Sequence, residues 1–302
     1  MCECNFSLLN LDQLYICLVD ILLPSGKKID GTVSLIDDHH NIAIIHGDLD
    51  GIKGTSLSLE IAHLDVNVMS LGRNSTFGLM ASRGKINIRR DVLESDDLMS
   101  SSCTISESGI GGPLVDISTG FVIGMNVYMQ KKATLFMPSI ILNHCFQQLV
   151  DYGQVMRPCL GLKTRSIDEK KLNEMELIYE KFPSTDGITV NEVIMGSLAD
   201  EARISVGDII ILLNNIPVSS PLRLADLLLK LGKESRKRKR NRKHMIIKVV
   251  LQRPTASKLV KKKIELKYPI SPYVNRWPLL PLDIPVVECS SYDFLSYKRG
   301  MT

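Results

Sequence analysis

Residues 107–126, ESGIGGPLVDISTGFVIGMN, carry several turn and strand signals close together. Gly111-Gly112-Pro113 is a tight turn in which small residues let backbone approach backbone, and the proline fixes φ ahead of a buried strand. Gly120 follows at a hairpin tip between LVDIS and FVIGMN, the setting that favours φ above zero. A strand, a hairpin and a second strand within so short a span predict antiparallel pairing.

The same punctuation runs upstream. LYICLVDILL (14–23), KIDGTVSLID (28–37), NIAIIHGDL (41–49), SLEIAHL (58–64), VNVMSLG (66–72) and FVIGMNVYM (121–129) are short, rich in Val and Ile, and separated by Gly, Asp, Asn and Ser turns. This spacing predicts an antiparallel barrel or sandwich, not a βαβ sheet. Pro138-Ser139-Ile140-Ile141 opens a helix through Leu149, with Ser139 available as N-cap. After DYGQVMRP (151–158) a new unit begins, running from CLGLKTRSI through ITVNEVIMGSLADEARISVGDIIILLNNIPV to MIIKVVLQRP. Within it Gly196-Ser197 starts a short helix, Gly207-Asp208 makes a turn, Ile209 to Leu213 form a strand, and Asn214-Asn215 turn a hairpin. PLRLADLLLKLG (221–232) has the apolar spacing of an amphipathic helix ending at Gly232. From Pro269 onward, proline and aromatic residues predict an extended tail, 269–302, without a core of its own.

The totals are those of a globular chain of about two domains: 302 residues, 44% hydrophobic and 23% charged. No apolar run approaches the ~20 residues of a membrane-spanning helix, so no membrane partner is expected. The start lacks the basic region of a secretory signal. Seven scattered cysteines suit buried thiols in a reducing compartment, and Cys2 and Cys4 have no second Cys/His pair at zinc spacing. The expectation is an intracellular protein, nuclear or cytoplasmic and not secreted, without metal or cofactor. The formal net charge is +4, yet residues 233–243 (KESRKRKRNRK) count +7, so the remainder carries about −3.

The succession VMSLGRNSTFGLMASRGKI (68–86), SGIGGPLVDISTGFVIGMN (108–126), PCLGL and GSLADEARISVGDIIILLNNIPV resembles the HtrA/Do-like (Deg) serine proteases, and among them the plant relatives with degenerate active sites. The resemblance covers about residues 14–268. It implies a mainly β chain: a chymotrypsin-like double β-barrel with a truncated first barrel (1–150), then a PDZ domain with two short helices (157–268) that carries a basic insertion (233–243). Family members form trimers through segments upstream of the barrel that are not recognisable here, so no oligomeric state is carried over.

The family places its nucleophilic serine before the Gly-Gly-Pro-Leu, and this chain has Ile110 there, with no proton to give and no lone pair to attack with. The triad carboxylate maps through HHNIAII to Asn41, a change that costs about 10⁴ in turnover. No histidine precedes His39, so the base is missing. Hydrolysis by this mechanism is not expected. Ser106, Ser108 and Cys103 lie near the site and His39 and His40 adjoin Asn41, one of the two histidines facing solvent at a strand edge; a displaced Ser108–His40 pair, or a site completed by a partner, is the alternative reading. The backbone at Ser108, Gly109 and Ile110 supplies the oxyanion-hole candidates, with the Ser108 and Ile110 N–H groups pointing inward.

The PDZ resemblance implies binding of peptide or protein C-termini, with Cys159-Leu160-Gly161-Leu162 as the carboxylate loop and Leu224, Leu227 and Leu228 on the opposite wall. The basic run, Arg236, Lys237, Arg238, Lys239, Arg240, Arg242 and Lys243, has the composition of a nuclear-import signal; without interleaved aromatics it does not predict a nucleic-acid partner.

Overall fold

The computed structural model describes residues 8–267 apart from 12–13, 38, 50, 62, 75, 77, 88–96, 131–132, 168–171, 183–185, 238–243, 255 and 257. The expected tail at 269–302, Arg238, Lys239, Arg240, Arg242 and Lys243 of the basic run, and Cys2, Cys4 and Cys289 lie outside the described residues. The chain divides into two compact units.

The first unit opens with β1 (Leu8–Leu11), β2 (Leu14–Leu22), β3 (Lys28–Asp37) and β4 (Ile42–Gly47), an antiparallel sheet in chain order. It remains open. The next six strands, β5 (Asn67–Arg73), β6 (Leu79–Asn87), β7 (Met99–Ser101), β8 (Pro113–Asp116), β9 (Val122–Gln130) and β10 (Ala133–Pro138), close into a barrel in the order β10-β7-β6-β5-β8-β9. Val68, Ile86, Leu114, Phe136 and Met137 on its strands are almost wholly buried, and β10 is buried on both faces. The hairpin at Gly120 forms as the sequence predicts, with φ at 74° and its N–H donating to Asp116 O at 2.8 Å.

Among the described residues of 58–64 no strand forms. The chain meets the barrel there through a bridge from Leu57 to Val122 and two backbone bonds, Ser58 N to Val122 O at 2.8 Å and Val122 N to Ser56 O at 3.1 Å. A closed barrel offers no free edge, and β9 already has a strand on either side, so an apolar run of strand composition finds nothing further to pair with. Helix α1 (Ser139–Tyr152) follows β10 directly and buries Ile140, Ile141, Cys145 and Leu149 at helical spacing. Pro138, not Ser139, is its N-cap; the Ser139 hydroxyl instead donates to Ser58 O at 2.6 Å.

The second unit contains β11 (Leu162–Ser166), α2 (Leu172–Lys181), β12 (Ile188–Val193), α3 (Leu198–Glu201), β13 (Ile209–Leu213), β14 (Ile216–Pro217), α4 (Pro221–Lys237), β15 (His244–Gln252) and β16 (Val260–Lys267). The strands run β11-β12-β13-β15-β16, with β14 on β13, so β11 is an edge strand, and α4 packs against it. Asn214 and Asn215 both take left-handed φ, 49° and 66°, the requirement of a two-residue hairpin turn. Ser197 caps α3, its hydroxyl accepting from Asp200 N at 3.3 Å.

Helix α4 does not end at Gly232 but continues to Lys237, so Lys233 to Lys237 lengthen a helix instead of forming a loop. Gly232 is there for contact: a Cβ at that position would lie 2.1 Å from Met156 O. The missing side chain admits the neighbouring backbone, and the Ser235 hydroxyl bonds back to Gly232 O at 2.7 Å.

Candidate functional site

The turn that carries Ile110 is a single 3₁₀ turn, Glu107–Gly109, wedged against the barrel wall. Gly109 N donates to Ser106 O at 2.8 Å and Ile110 N to Glu107 O at 3.1 Å, so both N–H groups are engaged inside the turn. The expectation that the Ile110 amide faces an incoming oxyanion is therefore corrected. A tight i→i+3 turn satisfies its own donors and leaves Gly109 and Ile110 none to offer.

Beyond it, Gly111 N donates to Asn126 O at 2.7 Å and Asn126 N to Gly112 O at 2.9 Å. Gly112 lies so close to β5 that a Cβ would meet Leu71 O at 2.2 Å. The fully buried Asn126 side chain adds a clamp, its Nδ2 donating to Ser70 Oγ at 2.7 Å and to Gly109 O at 3.3 Å. Sequence reading missed Asn126, whose role depends on a partner 56 residues away. Ile110 itself is 46% exposed and fills no core.

The remaining sequence-predicted groups do not converge on this turn. The Ser106 and Ser108 hydroxyls pair with each other at 2.8 Å. Asn41 is exposed in a left-handed turn, φ 52°, a conformation asparagine tolerates. His40 is buried, with Nδ1 3.1 Å from Asp37 Oδ2 and 3.5 Å from Cys145 Sγ. His39 is half-buried, its ring edge-on to that of His40 at 4.7 Å, so neither histidine lies open to solvent. A nucleophile–base–carboxylate relay needs two different ring nitrogens, whereas Asp37 and Cys145 both approach His40 at the same one. Cys103 is wholly buried, and burial pushes its thiol above the ordinary value, which suits a packing residue.

In the second unit, Gly161 has φ 75°, and its carbonyl accepts from Ile194 N at 2.9 Å. Leu160 O accepts from Ala199 N at 2.9 Å. These bonds turn the carbonyls of the Cys159–Leu162 loop toward the β12–α3 corner. Burial pushes the Cys159 thiol up, opposed by the Gly161 N–H directed at its sulfur. Leu160, Leu162, Leu224 and Leu227 are buried in the core of this unit, while Leu228 is partly buried against it. The open side of β11 and the neighbouring α4 bound an elongated edge at which an extended chain could add as a further strand. Arg236 lies at the end of α4, with NH1 3.5 Å from the Met156 sulfur, and Lys237 is its last residue.

A closed six-stranded barrel preceded by an open antiparallel sheet, with few helices among the described residues, fits a chymotrypsin-like fold, and the solved structures similar to the chain include HtrA-type proteases. AlgW with a tripeptide superposes with a TM-score of 0.57 at 19% identity, covering 84% of this chain and 82% of that one. AlgW with a decapeptide gives 0.52 at 19%, over 84% and 76%. Among curated proteins, the probable periplasmic serine endoprotease DegP-like of Chlamydia pneumoniae is 27% identical over 219 residues, 67% of this chain and 42% of its own length. The periplasmic pH-dependent serine endoprotease DegQ of Escherichia coli is 25% identical over 221 residues, 67% and 46%. DegP of the same organism is 26% identical over 217 residues, 67% and 44%. The curated relatives support a likeness to DegP-like serine endoproteases, and the solved HtrA-type proteases share the fold. The chain spans less than half the length of these curated relatives. No family model matches it.

These relatives are named periplasmic, which points outside the cytoplasm and overturns the intracellular expectation. That expectation leaned on scattered cysteines, but Cys103 and Cys145 are buried, and burial keeps a thiol reduced whatever the compartment.

Proposed function

We propose that this chain is a non-catalytic HtrA/Do-like protease homologue, of the degenerate plant-type kind its sequence resembles, in which a protease-like domain at 1–150 is joined to a PDZ-like domain at 157–268 that recognises peptide or protein C-termini. The observation that carries the proposal is Ile110, a hydrocarbon side chain at the position where acyl transfer needs a nucleophile, with its N–H bonded to Glu107 O at 3.1 Å. Asn41 offers no carboxylate, and the buried His40 faces Asp37 and Cys145.

Recognition is supported by the edge strand β11 beside α4 and by the Gly161 loop at its start. Strand addition supplies affinity through main-chain bonds. The HtrA-type protease AlgW has been solved with a tripeptide and with a decapeptide, which supports a peptide as the ligand class here.

The test uses the purified full chain against unfolded casein and against a library of fluorescent C-terminal peptides. The proposal expects no casein cleavage and saturable binding of a subset of peptides, lost on Gly161→Trp. Casein turnover, or peptide binding indifferent to Gly161→Trp, contradicts it.

A further inference from the structure

The protease-like reading leaves one cluster in the first unit without a task. Asp37 ends β3, His40 follows three residues later, and Cys145 comes from α1, 105 residues on from His40. All three side chains are withdrawn from water, at 6%, 1% and 0% exposure. His40 Nδ1 lies 3.1 Å from Asp37 Oδ2 and 3.5 Å from Cys145 Sγ, and one ligand atom from each of the three residues falls within 4.8 Å of the others.

A ring nitrogen carries either a proton or a lone pair: protonated, Nδ1 shares one N–H between the carboxylate and the sulfur, and unprotonated it offers its lone pair to a cation held between them. A metal ion requires such convergence, with three lone pairs aimed at one point. Zinc bond lengths of about 2.0–2.2 Å to N or O and about 2.3 Å to S, at tetrahedral angles, set edges of about 3.4 Å for N···O and about 3.6 Å for N···S. The observed 3.1 and 3.5 Å are close to those edges.

Charge points the same way. A carboxylate and a thiolate around a neutral imidazole carry two negative charges, which a divalent cation cancels, so the filled site adds no net charge to the interior. The thiolate selects against hard cations such as magnesium and calcium.

We propose that Asp37 Oδ2, His40 Nδ1 and Cys145 Sγ bind one divalent cation of the zinc class, with water in the fourth position. The ion cross-links the β3–β4 turn to α1 and so ties the open sheet to the helix that follows the barrel, a stabilising role independent of any peptide bound elsewhere. Local sequence spacing does not reveal the set, because its third ligand is remote.

The full chain, stripped by a chelator and kept reduced, is titrated with Zn²⁺ against a chromophoric competitor and with Co²⁺ by absorption. The expected result is one ion per chain, a higher melting temperature and a thiolate-to-cobalt charge-transfer band. Asp37→Asn, His40→Ala and Cys145→Ser should each weaken binding by about 100-fold or more. Cys103→Ser and a Cys2/Cys4 double serine variant should leave it unchanged. X-ray absorption of the zinc-loaded wild-type chain needs no variant and should show one sulfur among N/O ligands. Absence of saturable binding, binding that survives Cys145→Ser, binding lost with Cys2 and Cys4, or a shell without one sulfur overturns the site.

Discussion

Replacing Gly161 by alanine separates two costs that a glycine can avoid. Its φ of 75° is left-handed, and a Cβ there would lie 2.2 Å from Ser197 Cβ and 2.5 Å from Ser197 Oγ. The conformational part costs about 1–2 kcal/mol. The collision adds about 1–3 kcal/mol, because relief means moving either the loop or the Ser197 cap of α3. Moving the loop strains the bonds from Ile194 N to Gly161 O and from Ala199 N to Leu160 O, both 2.9 Å. Gly196 supplies the control: its φ is 74°, and nothing lies within 4 Å of the Cβ it would gain. Gly161→Ala should therefore lower the unfolding free energy of the full chain by about 2–5 kcal/mol, and Gly196→Ala by only about 1–2 kcal/mol. Urea unfolding followed by circular dichroism measures both. Equal losses would refute the close approach of Gly161 and Ser197, and with it the geometry of the loop proposed to bind peptides.

Three further outcomes follow from buried and hydrogen-bonded charge. Asp208, 1% exposed, accepts from Arg253 Nε at 2.8 Å, from Arg253 NH2 at 2.7 Å and from Ser205 N at 2.9 Å; Arg253→Met should cost about 3–5 kcal/mol in urea unfolding by leaving a buried carboxylate without its counter-charge. Burial raises the Asp116 carboxyl, but hydrogen bonds from Ser118 and Thr119 outweigh it and leave the group below its ordinary 3.8. A depressed folded value stabilises above the unfolded one and is lost as pH falls through the folded one, so wild type should lose more melting temperature than Asp116→Asn between about pH 5 and pH 3. Burial raises the Cys103 and Cys159 thiols above their ordinary 9.0, so iodoacetamide at pH 8 should label both slowly in the folded chain and rapidly in urea, read by mass spectrometry.

The elements legible in the sequence are those whose cause is local. The Asn214-Asn215 turn, the Gly120 hairpin and the Ser197 cap each follow from residues within four positions of one another. The misreadings share a remote cause. Gly232 reads as a helix end until Met156 O is seen against it, and 58–64 reads as a strand until the barrel is found closed without it. The same division holds at the sites. Ile110 and Asn41 are read directly from their motifs, but the inward closure of the 3₁₀ turn depends on its fold. The Asn126 clamp bridges 56 residues and the His40–Cys145 contact 105, distances at which no periodicity survives.

The central claim is that the elbow of this protease-like barrel has no nucleophile. Intact-mass spectrometry of the purified full chain after incubation with a fluorophosphonate probe tests it most directly. The account predicts an unchanged mass. An adduct mapped to Ser106 or Ser108 and abolished by Ser108→Ala would contradict it.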